Sequence, residues 1–241
     1  LDHSRTASHM RHAGRSLAGL VRHNAWTVVI LVAVVVFVGL LQEVLEGEAI
    51  RLDAMAYQLV VVRMRSAWLT PVMQSISELA LPVVLVVLLL AVEAFAPGRR
   101  PGVCAAVNLT LVLALNQVLK QIVHRPRPEG FRLIAESGYS FPSGHSMVAM
   151  AFYGLLAWMV WHYEKDRVVR WVCCLGFSLV VVAIGLSRVY LGVHYATDVI
   201  AGFCVSLAWL ALYTKVFVPV FMGEAPADSC KPTPAARCRP R

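Results

Sequence analysis

Residues 103–128 read VCAAVNLTLVLALNQVLKQIVHRPRP, and this stretch decides the fold. Its apolar part, 103–123, matches the roughly 20 residues a helix needs to cross a bilayer. A helix there satisfies its own backbone N–H and C=O groups, which hydrocarbon cannot do. The run then ends in charge, with Lys120, Arg125 and Arg127 set among Pro126 and Pro128, prolines that cannot continue a helix. A membrane span that delivers a cluster of cations to one face is the unit from which the rest of the chain is read.

Five further apolar runs resemble it in length, at 24–41, 76–96, 143–161, 169–187 and 194–218. None shows the period-2 alternation of a membrane barrel, so all six are expected to be helices. The chain of 241 residues is 59% hydrophobic with a mean hydropathy of +0.67, which excludes an ordinary soluble domain. The expected fold is therefore all-α and polytopic, one domain over 24–222 with six transmembrane helices. Between the first two runs, residues 42–75 carry Glu43, Glu46, Glu48, Arg51, Asp53, Arg63 and Arg65. That segment is too charged to span and apolar enough to lie on a surface, which predicts one or two external amphipathic helices leaning over the outer end of the bundle as a lid. Residues 223–241, rich in proline, alanine and basic side chains, are expected to form a disordered tail attracted to anionic headgroups. Residues 1–23 form an N-terminal cytoplasmic segment in this reading. Within it Ser8-His9-Met10 resembles a cloning scar before a native methionine, so 1–9 stand outside the fold.

Orientation follows from lysine and arginine. With both termini cytoplasmic, most of the 22 basic residues fall on the inner side, as the positive-inside bias requires. Lys120 and Arg127 after the third run, His145 at the start of the fourth, and Arg188 and His194 between the fifth and sixth then all reach the external face. An odd number of intervening spans would have separated them. The formal charge of +8 is spread over loops as membrane topology demands, and no nucleic-acid module accompanies it. Cys104, Cys173, Cys174 and Cys204 fall in or beside spans, and Cys230 and Cys238 in the tail, so no disulfide framework is expected. No metal-ligand spacing occurs, and no cofactor is expected.

The polar residues at the external face have the chemistry for phosphate. Lys120, Arg127 and Arg188 can surround phosphoryl oxygens as charge develops on them, arginine gripping two at once and lysine acting as a point charge. Ser143 and Gly144 follow a proline where the fourth helix begins, so helix-terminal N–H groups and the Ser143 hydroxyl can face the same anion. His194 and Asp198 are four residues apart, one helical turn, which lets the carboxylate fix the imidazole tautomer and leaves the other ring nitrogen for attack. His145 can protonate the leaving group and then activate water. Sequence does not decide which histidine attacks; Asp198 favours His194. Plainer roles exist beside these: Asp198 as a cap on the sixth helix, Ser143 as an N-cap, Ser187 as support for the Arg188 turn. Arg125 and His124 read as rim residues, Tyr139, Phe141, Tyr190 and Tyr195 as interfacial aromatics, Asn108, Asn116 and Gln117 as interhelical hydrogen-bonders, and Glu93 as structural.

Taken in order, Lys120-x6-Arg127-Pro128, Pro142-Ser143-Gly144-His145 and Ser187-Arg188-x5-His194-x3-Asp198 resemble the signature of the type 2 phosphatidic acid phosphatase family, membrane lipid phosphatases related to vanadium haloperoxidases. The resemblance covers Lys120 to Asp198 in detail, and its spacing selects Arg127 over Arg125. It implies a metal-independent hydrolase for a lipid phosphomonoester or lipid pyrophosphate, with His194 forming a phosphohistidine and His145 serving as acid and base. Implied substrates include undecaprenyl pyrophosphate, phosphatidylglycerophosphate, phosphatidic acid and the phosphate of lipid A, at the external face of the cytoplasmic membrane. Oligomeric state is not legible. Two readings from other classes stay open: a vanadium-dependent haloperoxidase, and a non-catalytic lipid-binding or transport protein.

Overall fold

Most of each apolar run expected to span is helical in the computed structural model, which describes residues 25–47, 51–96, 100–130 and 132–222. In chain order the helices are α1 (Ala25–Glu46), α2 (Arg51–Ala56) running on as a π-helical stretch through Tyr57–Arg63, α3 (Leu69–Glu78), α4 (Pro82–Phe95), α5 (Pro101–Val123), α6 (Gly144–Tyr163), α7 (Arg167–Tyr190), α8 (Ala196–Val216) and the short α9 (Val218–Met222). No strand occurs among the described residues. The expected N-terminal segment, the scar, the basic tail and its two cysteines lie outside them.

Helices α1, α5, α6, α7 and α8 are each long and apolar enough to cross a membrane. The second expected span is different from expectation. Residues 76–96 do not form one helix, because α3 and α4 meet at a 54° bend. Pro82, at the first position of α4, has no N–H to offer the preceding turn and holds Leu81 extended, at φ −73° and ψ 147°. The amides of Leu79, Ala80 and Leu81 close the end of α3 on the carbonyls of Ile76, Ser77 and Glu78. The bend leaves Ser77 buried beside α7, where the site uses it.

Helix α6 is the centre of the bundle and packs on α5, α7 and α8, while α1 lies against α8 and α3 against α7. Half of the most apolar window of α6 is buried (50%), against 6% for α1, which places α1 at the periphery. In lipid, packing rather than a hydrophobic driving force holds helices together, and small residues allow close approach. Three glycines do this here. A Cβ on Gly154 would sit 2.8 Å from Leu210, one on Gly185 2.5 Å from the Phe203 ring, and one on Gly202 3.0 Å from the Ser143 carbonyl. The core they admit includes Val112, Met147, Phe152, Leu155, Ile184 and Tyr213. Outward faces carry exposed Leu31, Val32 and Val35 on α1, Val83, Val87 and Leu90 on α4, and Leu175, Leu179 and Val182 on α7. Such a belt is a liability in water and the ordinary surface of a protein in acyl chains.

Buried polar side chains pin the helices. Asn108 donates to the Ala151 carbonyl at 2.8 Å and accepts from the Trp209 indole at 2.9 Å, joining α5, α6 and α8. Asn116 donates to the Pro142 carbonyl at 3.1 Å. Gln117 instead lies on the exposed side of α5. Glu93 accepts from the Gly102 amide at 2.6 Å, satisfying a free N–H in the first turn of α5.

Candidate active site

Four chain segments converge at one end of the bundle: the end of α5 with the loop 124–143, the start of α6, the last turn of α7, and the start of α8. His124 ends α5 in the left-handed region, with φ 53°, and turns the chain across the bundle end. Arg127, on the loop, is buried and held by three carbonyls: its Nε donates to Gly138 O at 3.1 Å, Nη1 to Val193 O at 3.0 Å and Nη2 to Ser137 O at 3.0 Å. Arg188, on the last turn of α7, is only 1% exposed. Its Nη1 donates to Ser77 Oγ at 2.7 Å and its Nη2 to Glu136 Oε1, while its Nε is buried without an acceptor. An orphan donor on a buried guanidinium suits an anion. Lys120, on the last turn of α5, lies within the field of Arg127, Glu136, Asp198 and Arg188, and His145, on the first turn of α6, within that of Arg188, Glu136, His194 and Lys120.

His194 stands in the turn between α7 and α8, almost wholly buried. Its Nε2 is 3.2 Å from Arg127 Nη1. Arginine can only donate, so Nε2 accepts and the proton of the neutral ring resides on Nδ1. That nitrogen faces Asp198 Oδ2 at 3.4 Å and Ser140 Oγ at 3.5 Å. Burial pushes the His194 pKa down from 6.5 to about 4, against the raising pull of the Asp198 carboxylate, so the ring is neutral at pH 7. Glu136 is held below the usual carboxylate range: burial works against its charge, and Arg188 with Arg127 outweighs it.

Asp198 is fully buried and both caps and orients. Oδ2 accepts from the Tyr195 amide at 2.9 Å, which closes the first turn of α8, and also from Ser140 Oγ. Oδ1 accepts from Arg125 Nη1 at 2.5 Å. Ser143 is the N-cap of α6, its hydroxyl accepting from Ser146 N at 3.4 Å and Ser146 Oγ at 3.0 Å, and its amide donates to the Asp198 carbonyl at 3.0 Å. Gly144 lies so close to α5 that a Cβ would meet Asn116 Oδ1 at 3.0 Å. Ser187 Oγ bonds the Ile184 carbonyl at 2.7 Å within α7, a supporting contact.

Several residues stand elsewhere than the sequence suggests. Arg125 is not on the rim: its side chain is 13% exposed, and it donates to Asp198, to Thr197 Oγ1 at 2.8 Å and to Asp53 Oδ2 at 2.9 Å, with its guanidinium 4.0 Å over the Tyr195 ring. Phe141 and Tyr190 are core residues, not interfacial ones. The Tyr190 hydroxyl meets Thr70 Oγ1 and the Ser66 amide, each at 3.1 Å, which ties the start of α3 to α7. Glu136, Asp53, Ser77, Ser140 and Thr197 carry no motif position and were not anticipated. Asp53 also accepts from the Thr197 amide at 2.9 Å, adding a second cap to α8 from outside the bundle. Helices do occupy the segment between the first two spans, and with the loop they enclose a cavity of ≈600 Å³ lined by Val44, Asp53, Tyr57, Arg125, Pro128 and His194, among others.

Buried cations around a neutral imidazole, at the ends of membrane helices, define a membrane-embedded phosphatase. The chain belongs to the PAP2 superfamily, which it matches over residues 101–221. It is 35% identical over 153 residues to phosphatidylglycerophosphatase B of Bacillus subtilis, covering 61% of this chain and 74% of that protein. To lipid A 1-phosphatase of Rhizobium johnstonii it is 33% identical over 112 residues, 42% of this chain and 41% of that one. The crystal structure of the transmembrane PAP2 type phosphatidylglycerolphosphate phosphatase from Bacillus subtilis has a TM-score of 0.67 at 30% identity, covering 76% of this chain and 94% of that chain.

Proposed function

We propose that the protein hydrolyses a lipid phosphomonoester or lipid pyrophosphate at the external membrane face, without a metal, through a phosphohistidine on His194. The observation that carries this reading is the placement of the unprotonated His194 Nε2 3.2 Å from a buried guanidinium, whose hydrogen bond a phosphoryl oxygen can take over. A phosphoryl group held by Lys120, Arg127 and Arg188 has its charge neutralised there, and the attacking nitrogen is already beside it. The Nε2–P bond forms as the bond to the leaving oxygen breaks, and His145 gives that oxygen a proton. His145 then takes a proton from water, which attacks the phosphohistidine and releases inorganic phosphate. Asp198 keeps the proton on Nδ1 throughout. The Ser143-Gly144 turn adds the positive end of α6 to the cage.

The relatives' names favour a phosphomonoester on a lipid anchor, and the cavity beside His194 gives a headgroup a way in. Lysine and arginine bias puts the termini in the cytoplasm and the site on the periplasmic or exterior face of the cytoplasmic membrane, with α2 and the π-helical stretch as its lid. A phosphate-release assay on purified protein tests the reaction. Phosphatidylglycerophosphate, phosphatidic acid, undecaprenyl pyrophosphate and lipid A are presented with and without EDTA. At least one is expected to release phosphate, unchanged by EDTA and blocked by vanadate, which resembles five-coordinate phosphorus. No release from any of them sinks the phosphatase reading, and EDTA-sensitive release sinks the metal-free one.

The role of His145 has its own signature. His145→Ala is expected to slow the natural lipid ester by on the order of 10² to 10⁴ and p-nitrophenyl phosphate, whose leaving group needs no proton, by about tenfold or less in the first step. Equal loss on both, measured as burst rates, would mean a structural role.

A further inference from the structure

Two of the three cations around the site already hold an anion, and it is the protein's own. Glu136 Oε1 accepts from Arg188 Nη2, and Oε2 lies 3.6 Å from Arg127 Nη2. The two guanidinium side chains are 2% and 5% exposed, whereas the glutamate is 26% exposed, so the carboxylate enters the cage from its open side. One carboxylate bridging two arginines from remote elements puts its oxygens where two phosphoryl oxygens would be gripped. A carboxylate has no third oxygen for the buried Arg188 Nε, whereas a phosphoryl group does.

Each arginine also has an anchor that does not involve Glu136. Arg127 keeps the carbonyls of Ser137, Gly138 and Val193, and Arg188 keeps Ser77 Oγ. The carboxylate can therefore leave without scattering the cage. Two anions at one pair of arginines repel, so Glu136 and a phosphoryl group exclude one another.

We propose that Glu136 is the resident anion of the phosphate cage, a specificity residue that yields to a lipid-borne phosphoryl group and returns to expel inorganic phosphate. A lipid substrate brings contacts away from the phosphate that offset the displacement of Glu136, and free phosphate brings none. The carboxylate thereby discriminates against the product and against soluble phosphate esters. This inference rests on the phosphatase reading above.

The test compares wild type, Glu136→Gln and Glu136→Asp in detergent, reading inhibition of lipid-phosphate hydrolysis by inorganic phosphate. Glu136→Gln is expected to bind phosphate about 10 to 100 times more tightly, the scale of one like charge removed from a partly buried site, and to show a lower kcat as product release slows. Its preference for lipid over a soluble phosphate monoester should narrow. Glu136→Asp keeps the charge on a stem too short to bridge both arginines, and should bind phosphate a few-fold more tightly; it carries the test if the glutamine variant does not fold. Phosphate affinity unchanged or weaker in both variants overturns the proposal, because a merely structural Glu136 would loosen the cage. A wild-type protein that hydrolyses no phosphorylated lipid refutes the phosphatase reading instead.

Discussion

His194→Ala is expected to lose about 10⁴-fold or more in kcat, with KM for the lipid little changed. The size follows from the removal of a covalent nucleophile, which a surrounding cage cannot replace. The unchanged KM follows from geometry: Arg127 keeps three backbone carbonyls and Arg188 keeps Ser77 when the imidazole is gone, so the phosphate site survives the substitution. Brief mixing with ³²P-labelled lipid followed by alkaline quench should leave base-stable, acid-labile label on wild type and none on the variant. Label on the variant, or wild-type turnover, would assign the attack elsewhere. The same nitrogen sets the acid behaviour. His194 titrates at about 4 in the free protein, so its attacking form is present throughout the neutral range and is lost only as pH falls through that value.

How far all this was readable in the sequence depends on what each residue answers to. The spans were legible because hydrocarbon forces any crossing segment to be a long apolar helix, and α1, α5, α6, α7 and α8 meet that demand. The bend between α3 and α4 was not, although Pro82 marked it, because apolar length over 76–96 was enough for a continuous span and nothing local required Ser77 to point at Arg188. Motif spacing picked out Arg127, Arg188, His194 and Asp198, which the fold brings to one end of the bundle. It passed over Arg125, which it left at the rim. Two Arg-Pro pairs in succession look redundant until Asp53, 72 residues earlier, is found on the other side of the guanidinium. Glu136 sits in an irregular loop, where no periodicity assigns a side chain to a face. Phe141 and Tyr190 lie near span ends, where aromatics commonly meet the interface; tertiary packing buries them instead.

Asp198→Ala is the second large effect, and it falls on stability as well as rate. Four donors converge on this buried carboxylate: the Tyr195 amide, Ser140 Oγ, Arg125 Nη1 and the His194 ring. Its removal takes from Arg125 one of its two carboxylate partners and from the first turn of α8 one of its two caps, Asp53 keeping the other of each, a loss of about 1.5–3 kcal/mol for hydrogen bonds to a buried charged group. Asp198→Asn separates the two roles. The amide keeps the shape and one acceptor oxygen, so the melting temperature should fall less. Its NH₂ group, if it faces His194, donates to Nδ1 and drives the ring proton onto Nε2, the nitrogen that must attack. Activity should then fall as far as in the alanine variant, on the order of 10²-fold or more. A capping residue and nothing else would give the opposite pattern, with rate tracking the folded fraction in both variants. Thermal melts beside kcat on the same preparations decide between the two.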